Sequence, residues 1–179
     1  MVLLHSVSVP LGSPLPKFNL KGTDEKMYSP TSFVNKKVLV IVFTCNHCPY
    51  AKAVEQRLIA LHEKYSPKGM QLVCINANDA ETYPDDSFKH MQEKHYPFPY
   101  LYDETQSVAC LFQAQCTPDI YVYDHAQNLA YHGRFDDNWQ DEHAVTSHDT
   151  EEAVKALLCG QKPNQNQQPS MGCSIKWKA

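Results

Sequence analysis

Runs of apolar residues alternate with polar stretches along the chain, and their lengths predict strands and helices in turn. The six consecutive apolar residues at 38–43 are typical of a central strand that is covered on both faces. A stretch with helical periodicity follows Pro49 and ends near residues 66–69, and another apolar strand is predicted at 70–76. This strand–helix–strand order implies a parallel pair of strands with a right-handed crossover.

Shorter elements are predicted on both sides of this unit. They are two short strands joined by a turn at 18–26, a helix beginning at Asp85, a helix over 104–113, a hairpin of strands at 120–123 and 129–134, and a last helix over 150–158. Asp85 and Asp86 suit the first turn of their helix, because acidic side chains are favourable near the positive end of the helix dipole.

The C-terminal residues differ in composition from the rest of the chain. Residues 161–170 are rich in Gln, Asn and Pro, which is typical of a flexible connector. Residues 171–178 carry apolar side chains again, which favours a tail that docks on the protein. We therefore predict one domain at 1–160, followed by a linker and docking tail at 161–179.

Length and charge narrow the classes of function. A chain of 179 residues is long enough for one domain with a substantial core. The net charge is −4 without a Lys/Arg-rich block, so neither a nucleic acid nor a membrane is expected as a partner. No secretory signal pattern or membrane-length apolar run is evident, which predicts a cytoplasmic protein. The seven cysteines favour redox chemistry over structural bridging, because their number is odd.

Two cysteines lie in the motif Cys45-Asn46-His47-Cys48-Pro49-Tyr50, between the strand at 38–43 and the following helix. Backbone N–H groups at a helix start favour a thiolate, the species that attacks disulfides. This predicts Cys45 as the nucleophile and Cys48, one turn further in, as the resolving cysteine. His47 could stabilise the thiolate, or it could be a solvated loop residue. Zinc commonly takes two such cysteine pairs, and the sequence has one, so no metal and no cofactor are predicted.

The order of elements around this motif resembles that of thioredoxin-like proteins. Phe18-x-Leu20-x-Gly22, an insertion at 78–100 and Thr117-Pro118-Asp119 before the hairpin are similar to the redoxin branch, which includes alkyl hydroperoxide reductase/thiol-specific antioxidant proteins. The cysteine motif and the tail at 169–178 resemble a bacterial subgroup of thioredoxin family, or redoxin-domain, proteins. The resemblance implies an α/β fold with a central mixed β-sheet flanked by helices, an N-terminal β-hairpin extension and a C-terminal tail.

The resemblance also implies roles for residues outside the motif. Thr117 and Pro118 match the cis-proline loop that faces the active cysteines, where backbone groups can pair with an extended substrate. Cys116 would then lie near Cys45, and the linker is long enough to carry Cys173 back over the site. Cys116 and Cys173 are therefore possible accessory thiols of a relay or lid. The alternative is that the first packs in the core and the second is an ordinary tail thiol.

Two departures from better-known relatives affect the functional prediction. Thioredoxins carry a buried acid in the strand before the motif, whereas residues 38–43 contain no ionisable side chain. Peroxiredoxins place their cysteine in a Pro-x-x-x-Thr-x-x-Cys loop, whereas here His47 follows three residues after Thr44 and the proline is absent. Because of the first difference, proton removal from Cys48 would need another group or water. The second difference weakens the prediction of a peroxidase.

Three functions stay open at this point. The first is a thiol–disulfide oxidoreductase that acts on protein or small-molecule disulfides or thiols with an unidentified electron donor. The second is a thiol peroxidase in which Cys48 resolves a sulfenic acid formed on Cys45. The third is a copper or zinc metallochaperone, because soft thiolates bind Cu(I).

Overall fold

The computed structural model describes residues 2–179, and Met1 lies outside this range. The strands are β1 (Leu3–His5), β2 (Leu20–Gly22), β3 (Met27–Tyr28), β4 (Val38–Phe43), β5 (Met70–Asn76), β6 (Tyr100–Tyr102), β7 (Cys116–Thr117), β8 (Asp119–Tyr123), β9 (Leu129–Gly133) and β10 (Met171–Ser174). The helices are α1 (Pro49–Tyr65), α2 (Phe88–Gln92), α3 (Ser107–Phe112) and α4 (Asp149–Leu158). None of them combines the length and apolarity needed to cross a membrane.

A mixed sheet forms the centre of the molecule, in the order β3-β2-β6-β5-β4-β8-β9. The central strand β4 runs parallel to β5 and antiparallel to β8. Every residue of β4 is buried, and its side chains alternate between two core clusters. One cluster includes residues of α3, and the other includes residues of α1 and α4. The predicted strand–helix–strand unit and the mixed sheet flanked by helices are thus confirmed.

The predicted N-terminal hairpin extension is also present. Strand β2 pairs antiparallel with β3 on one side and with β6 on the other, which joins the hairpin to the edge of the central sheet. The last predicted helix is observed as α4, and the C-terminal hairpin as β8 and β9.

The helix predicted to begin at Asp85 is much shorter than expected. Residues Pro84–Asp86 form a 3₁₀ turn, and α2 spans only Phe88–Gln92. Asp85 and Asp86 therefore precede α2, so the prediction that they lie in the first turn of this helix is wrong, and Asp86 is fully buried. Its carboxylate turns inward because it accepts hydrogen bonds from the loop that carries the cysteine motif.

The tail forms a second, three-stranded sheet in which β10 lies between β1 and β7. The segment 161–170, predicted as a flexible connector, runs beside β9. There the backbone N–H of His132 donates to the Gln167 side chain (2.9 Å), and the backbone N–H of Arg134 donates to the Gln168 carbonyl (2.9 Å). The domain boundary at residue 160 stays a prediction, but the tail beyond it is part of the packed structure.

Candidate active site

The two motif cysteines lie where β4 meets α1. Helix α1 begins at Pro49, whose missing N–H would be unbonded in a first turn and whose fixed φ suits a helix. Cys48 is the N-cap residue, and Cys45 lies three residues earlier, outside the helix. The prediction that Cys48 sits one turn inside the helix is therefore wrong, and Cys48 rather than Cys45 is nearer to the first-turn amides.

Both cysteines contact Thr117, which lies on a distant part of the chain. The Cys45 Sγ is 3.4 Å from the Thr117 hydroxyl, and the Cys48 Sγ lies 3.3 Å from the Thr117 carbonyl oxygen, to which it donates when it is protonated. The peptide bond from Thr117 to Pro118 is cis. Cys45 is 3% exposed and Cys48 is 0% exposed, so both sulfurs are enclosed. A role for Thr117 and Pro118 in substrate binding stays a prediction.

The tail brings a third cysteine to this pair. Strand β10 pairs antiparallel with β7, in a register that places Cys173 opposite Thr117. The backbone of Thr117, which the resemblance implies is open to an extended substrate, is thus paired with the tail. Cys173 packs in one buried cluster with Cys45, Cys48 and Ala51.

Cys116 is placed differently from Cys173. In the same register it lies opposite Ser174, and its Sγ donates to the Pro118 carbonyl oxygen at 3.7 Å. Burial raises the pKa of its thiol. Cys116 is therefore next to the site in sequence and space, but outside the cysteine cluster.

Hydrogen bonding between the two sulfurs shifts their pKa values in opposite directions. The hydrogen bond with Cys45 lowers the pKa of Cys48 to about 4, against the opposing effect of burial, and Cys173 and the Ala51 amide contribute in the same direction. The same hydrogen bond raises the pKa of Cys45, and burial and the charge of Asp86 raise it further. The two sulfurs titrate as a pair, with the first negative charge on Cys48.

This order of ionisation is open to direct titration. We expect the ultraviolet thiolate absorbance of the reduced protein to persist well below neutral pH and to be lost as the pH falls through the lowered Cys48 pKa. The Cys45→Ser variant should lose its absorbance at higher pH, because Cys48 has lost its main thiol donor. Replacement of the exposed Cys159 by serine is the matched control. An unchanged titration in Cys48→Ser would contradict this assignment.

His47 is held in place by Asp86. The His47 Nδ1 donates to the Asp86 carboxylate at 2.5 Å, and its ring stacks on Tyr83 with the centroids 5.1 Å apart. The His47 Nε2 is buried and has no hydrogen-bond partner among residues 2–179. His47 is therefore a positioned ring next to the motif, which removes the interpretation of a solvated loop residue.

Asp86 is the site residue that sequence reasoning missed. Besides His47, its carboxylate accepts from the backbone N–H of Asn46 (2.6 Å) and from the side-chain amides of Asn76 (3.2 Å) and Asn78 (2.9 Å). A fully buried carboxylate requires such donors, because isolated burial of a charge is costly. Asp86 is thus a buried acid beside the cysteines, supplied by the loop after β5 instead of by β4.

Aromatic side chains cover the outer side of the cysteine cluster. Tyr50 packs against the cluster and contacts Trp139, with ring centroids 4.0 Å apart. The loop that carries Trp139 is bonded to α1, because Arg57 donates to the Trp139 carbonyl oxygen at 2.8 Å. A cavity of about 260 Å³ opens beside Pro118 and is lined in part by Trp139 and Met171. This cavity approaches the site from the tail side.

Three side chains of the site could bind a metal ion. Ligand atoms of Cys45, His47 and Asp86 lie within 4.8 Å of one another. The sequence spacing pointed to no ligand beyond Cys45, His47 and Cys48, so Asp86 is an addition from the fold. However, Asp86 already accepts four hydrogen bonds, some of which a metal would have to replace.

A mixed sheet with a Cys-x-x-Cys motif between the central strand and its helix defines a thioredoxin-like protein with thiol redox chemistry. The chain belongs to the AhpC/TSA family, whose family model matches residues 11–132. A search of functionally curated proteins finds no significant match.

Solved structures agree with this membership. An uncharacterized conserved protein from Geobacillus kaustophilus is 42% identical with a TM-score of 0.95, covering 99% of this chain and 97% of its own. A hypothetical protein from Sinorhizobium meliloti is 35% identical with a TM-score of 0.93, covering 98% of each chain. A thiol:disulfide interchange protein of the thioredoxin family from Chlorobium tepidum is 17% identical with a TM-score of 0.62, covering 84% and 99%. This last likeness concerns the fold.

Proposed function

We propose that the protein is a thiol–disulfide oxidoreductase that uses Cys45 and Cys48 as its dithiol/disulfide couple. The observation that carries this proposal is the position of the two sulfurs, which pack in one buried cluster and both contact Thr117, at 3.4 Å for Cys45 and 3.3 Å for Cys48. Two sulfurs in hydrogen-bond contact are close enough to form a disulfide after modest rotation of their side chains. The Chlorobium tepidum neighbour is named as a thiol:disulfide interchange protein, which is consistent with this function.

In the proposed reaction Cys45 attacks first, because Cys48 is enclosed by Cys45, Cys173 and Thr117. The Cys45 proton moves to the Cys48 thiolate across their hydrogen bond as Cys45 attacks a substrate disulfide, and the first substrate thiolate leaves. Cys48 then attacks the Cys45 sulfur and gives its proton to the second leaving thiol. One substrate disulfide is reduced to a thiol and a thiolate, which takes a proton from water, and Cys45 and Cys48 are oxidised to a disulfide. A thiol electron donor restores the pair, and a cytoplasmic location stays a prediction.

The most informative experiment measures the reduction potential of the couple and assays peroxide consumption in the same preparation. Equilibration with glutathione redox buffers should give a two-electron couple whose Cys45–Cys48 disulfide, identified by peptide mapping, is absent from both Cys45→Ser and Cys48→Ser. A disulfide that fails to form between these cysteines would overturn the proposal. The value of the potential indicates whether electrons flow to or from the substrate.

The dyad of His47 and Asp86 should tune this potential in opposite directions. His47→Ala leaves the Asp86 charge less compensated near Cys45, so we expect a higher Cys45 pKa and a more reducing couple. Asp86→Asn removes the charge, so we expect a lower Cys45 pKa and a more oxidising couple. The matched control is His125→Ala at an exposed position. Changes below about 10 mV, roughly 0.5 kcal/mol for two electrons, would exclude the dyad from the mechanism.

Thiol peroxidase activity is the second candidate function. The enclosure of both sulfurs favours a small oxidant over a protein, and membership of the AhpC/TSA family is compatible with peroxide chemistry. Against it stands the loop sequence, which lacks the proline of the peroxiredoxin pattern. Peroxide-dependent formation of the Cys45–Cys48 disulfide at a rate well above that of a free thiol would favour this function.

A metallochaperone is the third candidate, and the cluster of Cys45, His47 and Asp86 is the observation in its favour. Thiolate and imidazole ligands suit zinc or copper. Elemental analysis of the reduced protein after incubation with zinc or Cu(I), compared with the Asp86→Asn variant, tests it. Stoichiometric metal that is lost in the variant would support a metal role.

A further inference from the structure

The tail holds Cys173 at a fixed place beside the active pair. Gly172 lies so close to β7 that a Cβ there would be 2.0 Å from the Thr117 carbonyl oxygen. Beyond Cys173, the side chain of Ile175 is buried in the core. The backbone N–H of Lys176 donates to the Asn78 side chain at 2.8 Å. Contacts before and after Cys173 in the sequence thus hold it next to the active pair.

Cys48 is the central sulfur of three. It is hydrogen-bonded to Cys45 on one side and to Cys173 on the other. Cys116 is excluded from this set by the strand register, because it lies opposite Ser174 and adjacent residues of a strand point to opposite faces. Cys48 therefore has two neighbouring thiols with which a disulfide could form.

We propose that Cys173 is a third redox-active cysteine, which takes the disulfide from Cys45–Cys48 to form Cys48–Cys173 and returns Cys45 to the thiol. This inference rests on the proposed function and adds a residue to it. In the step, the Cys173 sulfur attacks the Cys48 sulfur, the Cys45–Cys48 bond breaks, and the Cys173 proton passes to Cys45. No net oxidation occurs in this exchange. The oxidising equivalent comes from the substrate disulfide, and a thiol reductant later removes it.

Cys173 can reach the Cys45–Cys48 disulfide without movement of the tail, because it packs with both cysteines in one buried cluster. The regenerated Cys45 can then accept a second substrate while the first equivalent is stored.

Peptide mapping of the full-length protein can detect the proposed bond. Trypsin releases Cys45 and Cys48 in peptide 38–52, and Cys173 in peptide 156–176 together with Cys159. The exposed Cys159 is therefore replaced by serine in every variant, so that a link to 156–176 reports Cys173 alone. In the Cys45→Ser variant of this background, oxidation by glutathione disulfide should join peptides 38–52 and 156–176. The added Cys173→Ser change should abolish the link.

The outcomes separate this inference from the proposed function. If folded Cys45→Ser protein yields Cys48 and Cys173 only in alkylated or glutathionylated form, the inference fails. A link from 156–176 to peptide 95–134, which contains Cys110 and Cys116, would also overturn it. Should Cys45→Ser not fold, Cys45 is kept and the protein is oxidised by one equivalent. Alkylated Cys45 in a 38–52 peptide that is joined to 156–176 supports the exchange, whereas only the internal Cys45–Cys48 bond contradicts it. That internal bond in Cys173→Ser tests the proposed function independently.

Discussion

Cys45→Ser is expected to lose rapid exchange with a substrate disulfide and to keep only slow oxidation of Cys48 by a small disulfide, whereas Cys48→Ser is expected to retain the attack on substrate and stop at a mixed disulfide. The reason is position: Cys48 is 0% exposed and packs against Thr117 and Cys173, whereas Cys45 keeps 3% exposure, so we expect a substrate sulfur to reach Cys45 first. Loss of the attacking thiol removes the first step, and loss of the resolving thiol removes the second. Mass spectrometry of the variants after incubation with a model disulfide measures both results.

The mixed disulfide should accumulate further when Cys173→Ser is added to Cys48→Ser, because Cys173 packs in the same cluster and could resolve this intermediate. The Cys159→Ser variant, altered at an exposed cysteine, should behave as the unmodified protein. A mixed disulfide that accumulates on Cys48 in the Cys45→Ser variant would reverse the two roles. Such a result would mean that the lowered pKa of Cys48, and not the position of Cys45, decides which thiol attacks.

The central part of the fold could be predicted because its pattern is local. The apolar run of β4, the helical periodicity of α1 and the turn between β8 and β9 are each carried by adjacent residues. The predicted position of Cys48 inside α1 was wrong, although the helix does begin at Pro49. Proline at the first helical position places Cys48 at the N-cap, which moves the favourable amides from Cys45 to Cys48.

The parts of the site that the sequence did not predict depend on contacts between distant segments. Asp86 lies about forty positions from the motif in a polar loop, where an acid is ordinarily solvated. Trp139 contacts Tyr50, which packs against the cluster, and Arg57 bonds the Trp139 loop to α1. The pairing of Cys173 with Thr117 depends on the register of two short strands, for which the sequence has no turn or alternation signal.

Gly172→Ala is expected to open the active site. The added Cβ would lie 2.0 Å from the Thr117 carbonyl oxygen and 2.6 Å from its carbon, and these backbone atoms cannot rotate away. Strand β10 must therefore move away from β7, which withdraws Cys173 from Cys48. We expect the free energy of unfolding to fall by about 1–3 kcal/mol, as for an overpacked core. Alkylation of Cys45 and Cys48 in the folded, reduced protein should become much faster.

Gly160→Ala provides the control for this prediction. Gly160 has a φ of +72° and no neighbouring atom within 4 Å of an added Cβ, so alanine there causes backbone strain at the end of α4 without a clash near the site. We expect this variant to lose stability as well, but to keep slow alkylation of the two cysteines. Chemical denaturation and timed alkylation of both variants measure the two effects separately. Alkylation of Cys45 at the unmodified rate in Gly172→Ala would mean that the tail does not enclose the site.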